Sequence, residues 1–373
     1  MNRPPLSPER GQSLVIVALV LIALIGMLAL AFDGGNAFFQ RRIAQNAADA
    51  GALAGARELC VTGIPSLAID RALEYAIDRN GALAADASIE YNLVTVNSFI
   101  TFPTTFGNAL GRSEMTAPAT AIAGCFTPTS ATGALPVAWS CRPPVVGQVV
   151  TNTCVMQYGE DHLYYIMDSK TVGDHVTCQD PPQSGIPPTG FDCDYDDDGY
   201  DDLLGSGNRS WLDLNGGGGG ASELRDWVLG DVAATVNIHN WLQSQAGNDN
   251  AVYFAVHDRM LTDPDVIIPV FDKFCTGRPS TVCPALYDAG DQTIIGGGAS
   301  ALYYHIISFS IFHITCVNSG PYKCSPPPGI AASKARDYKW IEGYFEVGFP
   351  SGLGGGPGGG GAAAGAYTLY LVQ

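Results

Sequence analysis

Apolar positions are spread very unevenly along this chain. Residues Ser13–Phe32, SLVIVALVLIALIGMLALAF, are almost continuously apolar, and no charge occurs between Arg10 and Asp33. About 20 such residues are enough to cross a bilayer as a helix. After Asp33-Gly34-Gly35 the pattern becomes helical in period. Asn36–Cys60 reads as a helix because it is rich in Ala, the best helix former, and no Pro falls between Pro8 and Pro65. Arg42, Gln45 and Asp49 share one face at i, i+3 and i+7. Ala47, Gly51 and Gly55 share another at i, i+4 and i+8, a small-xxx-small ridge that lets a second helix approach closely. Each Gly costs about 1 kcal/mol of helix stability relative to Ala, so a tight contact is expected in return. Its partner is either the chain's own next helix or another subunit. A second helix is expected over Leu67–Asn80, with Ser66 as cap, Ile69, Leu73, Ala76 and Ile77 as its apolar stripe, and Gly81 as its stop.

Period-two alternation follows. It predicts a strand over Ile89–Thr101, with Ile89, Tyr91 and Leu93 on one face, and another over Glu114–Gly124. Helix, helix and hairpin make a small unit ending near Cys125. From Phe126 onward Pro, Cys and short apolar runs alternate. Val145–Thr151, Leu163–Met167, Val252–Val256, Val266–Phe271, Tyr303–Cys316 and Ile341–Phe349 read as strands, and Ser222–Leu229 as a short helix capped by Ser222. The last residues, AYTLYLVQ, read as a strand paired with Ile341–Phe349 across the Gly-rich stretch Pro350–Gly365, which is expected to be disordered.

Composition sharpens this picture. With 373 residues the chain is long enough for two or three domains, and its net charge of −17 lacks the basic stripe that nucleic-acid binding needs. All ten cysteines lie after the apolar run, and no CxxC occurs. That argues for disulfides in an oxidising compartment rather than for a zinc ribbon or a thioredoxin-type pair. Near-neighbour spacing suggests Cys141–Cys154, Cys178–Cys193, Cys275–Cys283 and Cys316–Cys324, leaving Cys60–Cys125 to tie the first unit. A cleaved signal peptide competes with a retained anchor, its best site following Ala29-Leu30-Ala31. The apolar run exceeds the roughly 7–15 residues of a signal-peptide core, which favours the anchor. Arg3 and Arg10 before the run are balanced by Arg41 and Arg42 after it, so the cysteines set the orientation, with the C-terminal side outside.

One combination of residues is more specific. Gly11-Gln12 precede the apolar run, Asp33 ends it, Phe38 and Arg41-Arg42 follow, and then comes Asn46-Ala-Ala-Asp49-Ala-Gly-Ala-Leu-Ala-Gly-Ala56. This resembles the TadE/TadG-like proteins of the Flp (tight-adherence) pilus machinery, over about 50 residues. The resemblance implies a bacterial, inner-membrane-anchored, pilin-like protein without enzymatic activity. Type IV prepilins carry a Glu five residues after the cleaved Gly; here Ile16 stands five after Gly11, so prepilin-type processing is not expected. Longer TadG-like proteins carry a von Willebrand type A domain with a D-x-S-x-S metal motif. Asp86-Ala-Ser88-Ile-Glu90 and Asp168-Ser-Lys170 do not fit it. The expected architecture is α+β: a cytoplasmic tail over 1–12, a transmembrane helix over 13–32, a membrane-proximal pilin-like unit over 33–125, and a β-rich, disulfide-bonded extracytoplasmic domain over 126–373.

Candidate chemistry is sparse. Gly216–Gly220 precedes a helix but lacks the Lys of a phosphate loop, the six histidines show no metal spacing, and no G-x-S-x-G elbow or S-x-x-K pair occurs. His257-Asp258 and His305 are read as core or surface residues. The strongest signal is FDCDYDDDGYDDL, residues 191–203, which contains D-x-D-x-D-G-x-x-D. Asp194, Asp196, Asp198, Asp202 and the Tyr200 carbonyl are candidate ligands for one calcium ion, with Gly199 allowing the turn. Gly205 stands where an EF-hand has its bidentate Glu, and a solvated acidic loop is the plain alternative. The expected role is structural: a membrane-anchored component of an Flp-type pilus that meets other subunits through Ala47, Gly51 and Gly55. The alternative is a membrane-tethered, calcium-dependent adhesive module.

Overall fold

The structure, a computed structural model, describes residues 12–140, 157–168, 211–218, 220–245, 250–275, 277–299, 301–326, 333, 339–356 and 362–372. The expected strand Val145–Thr151 lies outside them, as do Cys141, Cys154, Cys178 and Cys193. The chain divides into two compact units: Met1–Cys125 with Leu369–Gln373, and Phe126–Thr368.

In the first unit a single helix, α1, runs over Gln12–Thr62. The Asp33-Gly34-Gly35 junction does not interrupt it, and a Cβ added at Gly34 or Gly35 would meet nothing. A second helix, α2, covers Pro65–Leu73 and continues as a π-helical turn over Glu74–Arg79. Its cap differs from expectation. Ile64 is the N-cap residue, no side chain bonds to the helix start, and Pro65 occupies the first turn, where its missing N–H costs nothing. Ser66 is therefore inside the helix. Gly81 does end the segment, with a positive φ of 74° and its N–H donated to the Ile77 carbonyl at 3.0 Å.

The strands β1 (Ala84–Glu90), β2 (Leu93–Pro103) and β3 (Glu114–Phe126) form an antiparallel meander. The single strand expected over Ile89–Thr101 is instead two strands joined at Tyr91-Asn92. Tyr91 takes a left-handed φ of 57° and is 91 % exposed, so it leaves the face it was expected to share with Ile89 and Leu93. A two-residue turn moves the inward set to the other parity. Ile89 stands opposite Val94, and Val94, Val96, Ser98, Ile100 and Phe102 are the buried positions of β2.

This sheet and α2 cover one side of α1. Ala44, Ala48, Ala52 and Ala56 are fully buried against Ala72, Ala76, Val94 and Val96. On α2 the buried residues are Ala68, Ala72 and Ala76; the expected stripe members Ile69, Leu73 and Ile77 are only half-buried, because the close approach of α1 leaves room for methyl groups alone. Ser98, buried in the sheet, donates from its hydroxyl to the Ala44 carbonyl at 2.6 Å. Cys60–Cys125 joins the end of α1 to the end of β3. The chain's last strand, Thr368–Leu371, lies next to β3; of the expected pairing with Ile341–Phe349 only one parallel bridge, Gly348 with Ala366, is formed. Leu369 packs on the alanine core and Val372 donates to the Ile122 carbonyl at 2.7 Å, so burial at the end of the first sheet decides the pairing.

In the second unit short strands are arranged around one long one. In chain order the elements are β4 (Ser130–Thr132), β5 (Trp139–Ser140), β6 (Tyr164–Asp168), β7 (Trp211–Leu212), α3 (Ala221–Leu229), β8 (Thr235–Asn237), β9 (Asn240–Gln245), α4 (Asn250–Thr262), β10 (Asp265–Cys275), the single-turn α5 (Pro279–Val282), β11 (Thr293–Ile295), β12 (Tyr303–Asn318), β13 (Lys339–Glu346) and β14 (Leu353–Gly354). Along one edge β12 pairs with β10; on the other it pairs with β9 at its start and β13 at its end. Its residues Tyr304, Ile306, Phe309 and Phe312 and the Phe271 of β10 are fully buried. A smaller sheet runs β14-β4-β8, so part of the Gly-rich stretch after Pro350 is strand and not disordered loop.

Two helix expectations change here. Val252–Val256 is the core of α4, not a strand. Val252, Tyr253, Ala255 and Val256 are buried together, which is helical spacing, and the edge of Trp211 meets the Tyr253 ring at 5.6 Å. Local β-propensity in VYFAV loses to that burial. The α3 helix is capped by the Gly220 backbone, with no side-chain bond from Ser222. Cys275–Cys283 and Cys316–Cys324 are bonded as their spacing suggests, as is Cys60–Cys125 in the first unit.

Two glycines, one in each unit, are packed too closely for a side chain. A Cβ at Gly51 would stand 2.8 Å from the Ala72 carbonyl, so Gly51→Leu is expected to cost about 1–3 kcal/mol, or to unfold the first unit. Gly34→Ala, in open space, should leave stability unchanged or slightly raised. Thermal unfolding of the purified full chain in detergent compares them, and equal midpoints would contradict the packing. Gly343 of β13 faces Ile314, and a Cβ there would collide with the His313 carbonyl and the Phe312 ring. Gly343→Ala should lower the unfolding midpoint of the second unit by an amount corresponding to about 1–3 kcal/mol.

Candidate membrane and assembly interface

The described structure has one helix long and apolar enough to cross a membrane. Its first part has no protein around it. Leu14 is 74 % exposed, Leu30 78 % and Phe32 63 %. In water such a surface would be strongly unfavourable, at roughly 25 cal/mol per Å² of apolar area. In hydrocarbon it is at home, since a helix satisfies its own backbone hydrogen bonds.

Asp33 is the first charge after that surface. Its carboxylate accepts three backbone N–H groups from the β2–β3 connection: Thr105 at 2.8 Å, Phe106 at 2.9 Å and Gly107 at 2.7 Å. These N–H groups open the single 3₁₀ turn Gly107–Leu110, where the first amides of a helical turn have no partner of their own. The Thr105 bond, with those from Gly107 and Phe106, holds the Asp33 carboxyl below its ordinary value, against a smaller opposing effect of desolvation. The Phe32 and Phe106 rings lie 6.1 Å apart beside this tie. Inside the turn, the Thr104 hydroxyl bonds to the Arg112 carbonyl and the Arg112 N–H to the Gly107 carbonyl. In the sequence Asp33 is visible only as the end of the apolar run. Its partners are backbone amides more than seventy residues away, and backbone amides carry no side-chain signature.

The Ala47/Gly51/Gly55 face was expected to meet other subunits. It is buried, and the covering groups belong to the same chain: Ala72, Ala76 and Val96 at Gly51, and Ala68, Ala72 and Val94 at Gly55. That face is not free for a partner. The neighbouring face is half-buried. Ala50, Leu53, Ala54, Arg57, Tyr75 and Leu369 line a groove of 430 Å³, rimmed by the Arg71–Glu58 and Arg71–Glu74 ion pairs at 3.5 and 2.8 Å.

In the second unit the singled-out polar residues serve packing. The buried Asp213 carboxylate accepts N–H groups of Asn215, Gly216 and Gly218 at 2.7–3.2 Å, so it already fills the turn that a phosphate would need. His305 is buried. Its Nδ1 pairs with the Asp272 carboxylate at 2.7 Å, and its ring lies against Trp241 and His239. His257 stacks on Tyr322 at 3.6 Å, apart from its 3.8 Å approach to Asp258. The calcium candidates Asp194, Asp196, Asp198, Tyr200 and Asp202 lie outside the described residues. Among the described residues no group of three or more His, Cys, Asp and Glu side chains could hold a metal ion.

The Asp33 tie has a pH signature. A carboxyl whose folded pKa lies below its ordinary 3.8 stabilises the fold above that value, and the contribution is lost as pH falls through the lowered one. In hydrogen exchange at neutral pH, the Thr105–Gly107 amides of the full chain should be protected relative to Asp33→Asn. The difference should begin to shrink below the ordinary carboxyl value and vanish once the pH has fallen through the lowered one. Equal protection at neutral pH would refute the tie.

No curated protein and no solved structure matches this chain. In its N-terminal region, residues 11–58, the chain matches the family model described as "Putative Flp pilus-assembly TadE/G-like".

Proposed function

We propose that this chain is a membrane-anchored structural component of an Flp-type pilus-assembly apparatus. It crosses the bacterial cytoplasmic membrane once through Ser13–Phe32 and holds both folded units outside the cytoplasm. The observation that carries the reading is a coincidence within one stretch. The family match over residues 11–58 covers the exposed apolar helix, Asp33 and the alanine-glycine seam together. The disulfides Cys60–Cys125, Cys275–Cys283 and Cys316–Cys324 support an oxidising location. The role is assembly rather than catalysis. A partner subunit would meet α1 at the groove beside the half-buried Ala50, Leu53 and Ala54, since the glycine face is occupied from within.

The protein should fractionate with membranes, resist extraction by alkaline carbonate and keep residues 1–31 in its intact mass. A mature chain beginning at Phe32 would replace the anchor by a cleaved signal peptide. Deleting the gene in a bacterium that encodes it should reduce Flp-type pili on the cell surface, with restoration by the intact chain but not by one lacking Ser13–Phe32. Unchanged piliation would remove the assembly role.

A further inference from the structure

We propose that the β2–β3 tip, residues 104–112, is a second membrane contact of the first unit, seated in the lipid headgroup layer beside the end of the span. This rests on the membrane-anchored reading above and adds a lipid-facing surface to it.

The α1 helix continues without a break through Asp33-Gly34-Gly35, so position in sequence converts directly into distance along the axis at about 1.5 Å per residue. Ser13–Phe32 then covers about 30 Å, the thickness of the hydrocarbon layer. Asp33 stands at its edge, and the headgroup layer extends roughly 5–8 Å further, about four residues of helix. Any tilt carries Asp33 deeper. The three hydrogen bonds of 2.7–2.9 Å fix the backbone of Thr105, Phe106 and Gly107 to that carboxylate. The tip therefore shares its depth.

The chemistry of the tip suits that layer. Phe106 is half-buried and faces Phe32, the last apolar residue of the span, so one aromatic pair bridges helix and tip at the hydrocarbon edge. Asn108 and Arg112 are exposed. The planar guanidinium of Arg112 offers the paired donors that phosphate oxygens of lipid headgroups accept. The same geometry explains how a carboxylate can be the first charge after so long an apolar surface. An ionised acid at the edge of hydrocarbon is expensive unless its oxygens are hydrogen-bonded, and here the tip supplies three donors. The occupant of this surface is thus the bilayer that holds the helix.

The experiment uses the full chain in phosphatidylcholine nanodiscs containing lipids brominated at different depths. Phe106→Trp and Phe32→Trp each add one fluorophore, and the parent protein supplies the background of the five native tryptophans. Both added emissions should be quenched, that of Phe106→Trp most strongly by bromines nearest the headgroup. Adding Asp33→Asn should weaken quenching of Phe106→Trp and leave that of Phe32→Trp unchanged. Asn108→Trp, at an exposed position of the same turn, serves if Phe106→Trp fails to fold. Quenching at position 32 with none at 106 or 108 overturns the docking and leaves the anchor standing. Absence of quenching at all three positions overturns the anchored reading as well.

Discussion

The first unit depends on how closely α1 lies against α2 and β2. At Gly51 and Gly55 there is no space for even one added carbon, and the surrounding positions are Ala44, Ala48, Ala52, Ala56, Ala68, Ala72 and Ala76. A methyl group buries little area, so this core gains less from the hydrophobic effect per residue than one built of Leu and Phe. Its compensation is density. Backbones that touch gain many weak dispersion contacts, and larger side chains at these sites would separate them. Such a seam needs support elsewhere. Ser98 fastens the sheet to the Ala44 carbonyl, and Cys60–Cys125 closes a loop of 65 residues, worth on the order of 4 kcal/mol by the chain-entropy account.

The same seam gives α1 its mechanical character. One half of the helix is naked and apolar; the other half is clamped by alanines and a disulfide. Because no break separates the halves, the attitude of the folded sheet is set by the attitude of the span. The Asp33 tie adds a third point of attachment, between the seam and the apolar surface. A domain held in this way transmits tilt and rotation of its anchor, whereas one joined by a flexible linker would not.

What could be read from the sequence was what repeats or recurs at short spacing. The apolar run, the helical seam, β3, β10, β12, β13 and three cysteine pairs fall in that class. What could not be read was decided by distant partners. Tyr91 carries no turn signal, yet the β1–β2 register places it in a left-handed conformation. VYFAV looks like a strand until Trp211 and the α3 helix bury one side of it. Ser66 and Ser222 have the chemistry of caps, but Pro65 and Gly220 had already set the helix starts. The small-residue face was legible as a contact, and its partner was not: spacing reports that a close approach occurs without saying which chain provides it. Of the candidate interface, Asp33 was visible and its three amide donors were not.

These outcomes bear on where the molecule has capacity left for binding. In the second unit the polar groups that most resembled sites are consumed locally. Asp213 is saturated by its own turn, and His305 is held by Asp272 among aromatic rings. The buried Nε2 of His305 and Nδ1 of His257 are among the described atoms without a hydrogen-bond partner, and burial keeps both from any large ligand. In the first unit the position is reversed. The glycine face is used up within the chain, while the apolar span is exposed and the groove beside Ala50, Leu53 and Ala54 is half-buried along one continuous helix. The groove lies on the clamped half of the helix, beyond the exposed apolar surface of the first half. Small residues line its floor, and the Arg71–Glu58 pair stands at its rim, where a partly exposed ion pair contributes little to stability.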